Sequence, residues 1–154
     1  MNRFHAHNAS QATLATTPDR LWDVLTDPHL LVRFTPNLRH IDVDGERWTW
    51  HLTRIPVLSH AIEPSFTEVM DLEEPHRITF RHDSARVEER AGVNGEYLLR
   101  PVDERSTHVA IDLGIWVDMP IPRMARPAVE RVMGTVVAGM GYRFGQNLRR
   151  HLGA

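Results

Sequence analysis

One stretch decides the fold of this chain: residues 129–148 read VERVMGTVVAGMGYRFGQNL. The apolar residues in it recur at steps of three and four, and they are Val129, Val132, Met133, Val136, Val137, Met140, Phe144 and Leu148. This spacing is the period of an amphipathic helix, which we predict over about residues 127–152. Such a helix turns one apolar face towards the rest of the chain.

The 80 or so residues ahead of this helix follow a different rhythm, since apolar and polar residues alternate there with the period of two that marks strands. The clearest case is residues 109–117, and we predict further strands at about 66–72, 78–82 and 96–102. Asp44-Gly45 is a strong hairpin signal because glycine favours the positive φ of a tight turn. Residues 83–95 stay open, as a short strand or as the start of a longer one.

The beginning of the chain predicts one strand followed by two short helices. Residues 4–15 are compatible with a strand. Thr17 can cap a helix that starts at Pro18. Asp27-Pro28 ends that helix and can start a second one, which Thr35-Pro36 stops. The element order is therefore a strand, two short helices, about six antiparallel strands and one long helix. It predicts an α+β fold in a single domain, residues 1–154, with a curved antiparallel sheet of about seven strands around the C-terminal helix.

Composition excludes several classes of function. The formal net charge is −2, which gives no basic surface for nucleic acid. The chain has no cysteine and no lysine, so thiolate nucleophiles, cysteine-bound zinc and Schiff-base chemistry are all excluded. Its first residues lack the apolar core of a signal peptide, and no apolar stretch is long enough to span a bilayer. We expect a cytoplasmic, soluble protein without stable membrane insertion.

The run TPDRLWDVLTDP at residues 17–28, followed by Phe34-Thr35-Pro36, resembles the opening of the START-related helix-grip (SRPBCC) superfamily. The polyketide cyclase/dehydrase-like and coenzyme Q-binding-like branches are the most similar. Residues 48–50, 97–101 and 106–111 also stand where such proteins place strands. The resemblance covers nearly the whole chain and implies an apolar cavity between the long helix and the concave sheet. Relatives use this cavity for lipids, quinones, polyketides or hormones, but a fold alone does not transfer a function.

Nine residues are the candidate ligand-binding set, and they are Trp48, Trp50, Phe66, Glu68, Phe80, His82, Met133, Met140 and Phe144. The apolar members would bury ligand surface, unless they merely fill the core. Glu68 and His82 alternate with apolar residues on their strands, so they would be the polar groups that orient a ligand. Alternatively, Glu68 and His82 both lie at the sheet rim in contact with water, or Glu68 forms an ion pair with Arg100 or Arg143.

No metal ion or other cofactor is predicted. His5 and His7 can lie on the same side of a strand, but no third ligand stands at a motif-like spacing. Asp112 is expected on the solvated outer face of its strand. The other histidines away from the cavity are interpreted as surface residues, at positions 29, 40, 51, 60, 76, 108 and 151.

Two further features leave alternatives open. The aliphatic loop at residues 55–62 is either a lid over a cavity mouth or a small satellite core. The glycines of the long helix, Gly134, Gly139, Gly141 and Gly145, permit close approach of another backbone, permit a bend, or are simply tolerated.

Three functions follow from these features. We favour a non-enzymatic protein that binds or transports a small hydrophobic molecule such as a lipid, a quinone or a polyketide-like compound. The alternative is a cyclase or dehydratase that uses acid–base residues in the same cavity. A third hypothesis is an interaction module that docks a partner protein through the aliphatic loop or through the glycine-bearing face of the long helix, where a homodimer is possible.

Overall fold

The computed structural model describes residues 1–154 and contains nine strands and three α-helices, with a single 3-10 turn before the last helix. In chain order the elements are β1 Asn2–Leu14, α1 Pro18–Leu25, α2 Pro28–Phe34, β2 Leu38–Asp44, β3 Arg47–Leu52, β4 Ile55–Val57, β5 His60–Ile62, β6 Ser65–Glu73, β7 Arg77–His82, β8 Ala91–Asp103, β9 Ser106–Met119, the 3-10 turn Arg123–Ala125 and α3 Arg126–Leu152. The predicted order of elements is confirmed.

Local chemistry sets the helix boundaries. The Thr17 side chain accepts a hydrogen bond from the backbone N–H of Arg20, and Pro18 occupies the first turn of α1. Asp27 caps α2 in the same way, through the backbone N–H groups of His29 and Leu30. The cap at Thr17 and the start of a second helix at Asp27-Pro28 are the ones predicted from the sequence.

Seven strands form one antiparallel sheet in the order β1-β9-β8-β7-β6-β3-β2, and β4 and β5 form a separate hairpin. The first strand pairs with the last along its whole length, from Asn2 opposite Met119 to Leu14 opposite Thr107. The predicted turn at Asp44-Gly45 joins β2 to β3, and Gly45 has a φ of 60°. Together with the long α3, this arrangement confirms the α+β helix-grip fold.

The core consists of two apolar clusters that lie at opposite ends of the sheet. One joins α1 and α2 to the end of α3, through residues such as Leu21, Phe34 and Leu148. The other joins the start of α3 to the ends of β1 and β9, through residues such as Phe4 and Met119. The middle of α3 lies between the two clusters, and there the helix faces a gap.

Residues 83–90, which the sequence left open, form turns, and β8 begins at Ala91. The β7–β8 ladder stops at the pair Phe80–Gly95, and at the end of β7 the backbone N–H of His82 donates to the Asn94 side chain. No helix of the protein combines the length and the apolarity needed to cross a bilayer.

Candidate functional site

A cavity of about 230 Å³ lies between α3 and the inner face of the sheet. Ser10 of β1 and Leu38 of β2 both line it, although these two strands are opposite edges of the sheet. The sheet must therefore curve around the cavity, with α3 closing the open side. Most of the lining is apolar, and it includes Val136 and Val137 of α3.

Seven of the nine candidate residues line this cavity: Trp50, Phe66, Glu68, Phe80, Met133, Met140 and Phe144. Trp48 does not, although it shares a strand face with Trp50. It is two residue pairs nearer the β2–β3 turn, and there it is buried in the solid cluster formed with α1 and α2. Its ring centroid lies 6.5 Å from that of Trp50, so it supports the cavity wall from behind.

His82 also lies outside the cavity lining, contrary to the facing expected from its strand. Its Nε2 atom is 2.8 Å from Oε1 of Glu89, and its ring packs edge-on against Trp116 at 5.1 Å. The reason is that β7 ends at this residue and its ladder with β8 has already stopped. The imidazole therefore lies with Thr67 and Glu89 in a seam between β6 and β8.

Glu89 completes this seam. Its carboxylate accepts hydrogen bonds from the backbone N–H and the hydroxyl of Thr67, at 2.8 and 2.7 Å, in addition to its contact with His82. Thr67 is fully buried. The Glu89 side chain thus accepts the hydrogen bond of a β6 backbone N–H group that has no strand partner at this point.

Glu68 is the one ionisable carboxyl group in the cavity lining, and it is only 3% exposed. Burial raises the pKa of Glu68 well above 4.5, because a carboxylate loses its hydration there. Its Oε2 atom has no hydrogen-bond partner, so neither Arg100 nor Arg143 pairs with that oxygen. The rim location considered from the sequence is not the one observed.

A second polar atom without a partner belongs to the same lining. The indole Nε1 of Trp50 is buried and donates to no group of the protein. Buried indole N–H groups usually find an acceptor. A mostly apolar cavity that is lined by a small number of polar residues is the usual form of a ligand site.

Tyr97 of β8 is a lining residue that the sequence reasoning missed. Burial, and after it the charge of nearby Glu68, raise the pKa of Tyr97, so the phenol stays protonated. The signal for Tyr97 was its alternation with Leu99, but the sequence does not show that Tyr97 and Glu68 line the same cavity. Asn8, Ser10 and Thr35 are further polar lining residues that were not singled out.

The aliphatic loop forms the β4–β5 hairpin. Ile55, Val57 and Ile62 line the cavity, and the first two are also buried in the cluster at the start of α3. Leu58 stands at the exposed tip with a φ of 55°. The hairpin is therefore one wall of the cavity as well as part of the core.

The glycines of α3 do not interrupt the helix, which is continuous from Arg126 to Leu152. A Cβ atom added at Gly134, Gly139 or Gly145 would meet no atom within 4 Å, so no loop of this chain approaches them. Gly141 faces the cavity near Asn8, whose Nδ2 would be 3.5 Å from such a Cβ.

His5 and His7 do not form a cluster with a third metal ligand. Nε2 of His7 lies 2.7 Å from Asp112 on the outer face of the sheet, where Asp112 was expected. The group with the donor set of a metal site is instead His40, Asp42 and His51, which also lies outside the cavity.

Comparison with known proteins places these features in context. Residues 5–153 match the family model described as "Polyketide cyclase / dehydrase and lipid transport". None of the curated proteins matches the chain significantly in sequence.

Solved structures share the fold over nearly the whole chain. The Zhui aromatase/cyclase from Streptomyces sp. R1128 has 19% sequence identity and a TM-score of 0.65, covering 95% of each chain. A START superfamily protein from Mycobacterium smegmatis has 11% identity and a TM-score of 0.67, covering 95% of this chain and 96% of that one. A conserved protein from Geobacillus kaustophilus has 16% identity and a TM-score of 0.68, covering 97% and 95%. At these identities the likeness shows the fold alone.

Proposed function

The chain belongs to the polyketide cyclase / dehydrase and lipid transport family, and from this premise we propose that it binds a compact apolar molecule in the cavity under α3. The observation that carries the proposal is that two residues of a mostly apolar lining, Glu68 and Trp50, each have a buried polar atom, Oε2 and Nε1, without a hydrogen-bond partner. An unsatisfied buried polar group costs about 1–3 kcal/mol, which a suitable ligand would offset.

The size of the cavity limits the ligand. An engineered cavity of about 150 Å³ accepts benzene. The cavity here is about 230 Å³, which suits a ligand of roughly one or two fused rings, or the end of a longer chain. Apolar burial, at about 25 cal/mol per Å² removed from water, would supply most of the affinity.

The polar atoms limit its chemistry. The indole N–H of Trp50 can only donate, so it requires an acceptor such as a carbonyl oxygen. The raised pKa of Glu68 keeps its carboxyl group protonated to a higher pH than an exposed glutamate, and in that form it both donates and accepts. Phenols, quinones and polyketide-like rings carry such groups, whereas a pure hydrocarbon leaves both atoms unpaired.

Matched probes test the proposal. We expect 2-naphthol to bind the purified protein about tenfold more tightly than 2-methylnaphthalene, because one hydrogen bond distinguishes them. Glu68→Leu should remove this preference while both probes still bind. Isothermal titration calorimetry measures the affinities, and native mass spectrometry of the freshly purified protein reports any small molecule already bound.

A cavity-filling variant provides a second test of the binding proposal. Met140→Trp adds volume inside the cavity and should weaken both probes at least tenfold. Tyr142→Trp, two positions along α3 with a side chain that is 68% exposed, is the matched control and should leave binding unchanged. Equal affinities in these two variants, or no binding by the parent, would contradict the proposal.

A second candidate is a cyclase or dehydratase that uses Glu68 as an acid, favoured by the proximity of Glu68 to Tyr97 in the same cavity. Such a reaction needs a base as well as an acid. Burial raises the pKa of Glu68 and the pKa of Tyr97, which favours the protonated, acid form of each group, and we therefore favour binding over acid–base turnover. Loss of turnover in Glu68→Gln with unchanged probe affinity would favour the enzyme.

The cytoplasmic location and the homodimer stay predictions.

A further inference from the structure

A cluster of three side chains on the outer face of the sheet has the donor set of a metal site. His40 of β2 and His51 of β3 stand directly opposite each other in the register. Their rings stack with centroids 4.4 Å apart and an interplanar angle of 19°. Asp42 follows His40 by two residues, so it projects from the same face of the strand.

The donor atoms of these side chains converge. Nε2 of His40 lies 3.0 Å from Oδ1 of Asp42, and Nε2 of His51 lies 2.9 Å from Oδ2. All three ligand atoms lie within 4.8 Å of one another. Donors that share one zinc ion, each about 2.0–2.2 Å from it, are at most about 4.4 Å apart. Small side-chain rotations would therefore bring the three atoms onto one ion.

The third strand supplies a supporting contact. Ser65 of β6 stands opposite His51, and its hydroxyl oxygen lies 3.0 Å from Nδ1 of that histidine. A histidine that binds a metal through one ring nitrogen usually donates the N–H of the other nitrogen to a nearby oxygen. The Ser65 contact can hold His51 in the tautomer that presents the Nε2 lone pair to an ion.

The cluster is also accessible. The side chains of His40 and Asp42 are 51% and 66% exposed, and that of His51 is 24% exposed. An ion can enter from solvent and keep water in its remaining coordination positions. The inner faces of the same strands carry Trp50 and Phe66, so this cluster and the cavity lie on opposite sides of the sheet.

We propose that His40, Asp42 and His51 form a binding site for one divalent transition-metal ion. Two imidazoles and one carboxylate suit zinc, nickel or copper and do not suit magnesium or calcium, which prefer all-oxygen sites. The proposal does not depend on the cavity ligand.

Zinc titration tests the site. After treatment with a chelator and desalting, we expect the parent to bind one zinc ion per chain at pH 7.5. Asp42→Asn and His51→Gln should each weaken binding at least tenfold, and Ser65→Ala should weaken it about tenfold through the orientation of His51. Magnesium should not compete.

The matched control is His7→Ala. His7 and Asp112 form an exposed histidine–carboxylate pair that lacks a third ligand, so this variant should bind zinc like the parent. Nitrogen NMR of the histidine rings gives a second readout, since metal bound to Nε2 changes the shifts of His40 and His51 while the fold is monitored in the same spectra. Parent-like zinc affinity in Asp42→Asn and His51→Gln, or unchanged ring shifts on zinc addition, would overturn the proposal.

Discussion

Trp50 and Glu68 stand on the adjacent strands β3 and β6, two residue pairs apart in the register, and each is a cavity-lining residue with one buried polar atom that has no hydrogen-bond partner. The cross-strand partner of Trp50 is Phe66, and that of Glu68 is Trp48. Both polar atoms are thus fixed on one inner face by the backbone ladder. A protein that only needed a filled core would be more stable with apolar groups at these positions.

The first prediction concerns the pH dependence of stability. Because the pKa of Glu68 is raised in the folded state, the folded protein holds a proton that the unfolded chain releases above about pH 4.5. The stability of the parent therefore falls as the pH rises from the unfolded-state pKa through the folded-state pKa. Glu68→Gln carries no such proton, so its unfolding free energy relative to the parent should increase between pH 4.5 and pH 8.

Urea unfolding at several pH values measures this difference. Glu104→Gln, in the exposed turn between β8 and β9, is the control and should stay within about 0.5 kcal/mol of the parent throughout. A Glu68→Gln difference that is constant with pH would show that Glu68 is ionised in the folded protein.

The second prediction concerns the seam between β6 and β8. Glu89→Ala removes the acceptor for the buried backbone N–H of Thr67 and for its hydroxyl. We expect a loss of about 2–3 kcal/mol in the free energy of unfolding, because hydrogen bonds to a charged group are lost and a buried donor is left unpaired. Glu89→Gln keeps an acceptor oxygen and should lose less. A loss below about 0.5 kcal/mol in Glu89→Ala would mean that water replaces the carboxylate.

The third prediction concerns the close packing of β8 against β9. A Cβ atom at Gly95 would overlap the backbone carbonyl oxygen of Asp112 and would lie 2.8 Å from Cα of Leu113. Gly95→Ala should therefore cost about 3 kcal/mol, since backbone atoms must move. Gly114→Ala is the matched control on the neighbouring strand, because a Cβ atom there meets nothing within 4 Å. Thermal unfolding compares the two, and similar losses would contradict the expected clash.

The fourth prediction concerns the glycines of α3. In the isolated chain, alanine at Gly134, Gly139 or Gly145 would enter open space. Each substitution should stabilise the protein by about 1 kcal/mol, because alanine is the better helix former. Thermal unfolding measures the change, and light scattering measures the molecular mass. Destabilisation together with loss of a dimer would instead place these glycines in a contact between two copies.

Most helices and strands of this protein follow from local sequence patterns. The three- and four-residue spacing fixed α3, the alternation around Ile111 fixed β9, and Thr17 and Asp27 fixed where two helices begin. These features depend on neighbours within one or two turns, and the covalent geometry of the chain sets their periods. The inward facing of Trp50, Phe66 and Glu68 followed from the same alternation.

Which of these residues line one cavity depends on how the sheet curves and packs. Trp48 lies in solid core, whereas Trp50 on the same strand lines the cavity. The reason is that the apolar cluster with α1 and α2 surrounds Trp48 and leaves one side of Trp50 facing the cavity. His82 does not line the cavity as predicted, because its strand ends at this residue. Tyr97 and Glu68 line one cavity because the sheet curves, and His40 lies opposite His51 because of a strand register that no local pattern encodes. Distances across a sheet depend on pairing and curvature, and these are set only when the whole chain packs.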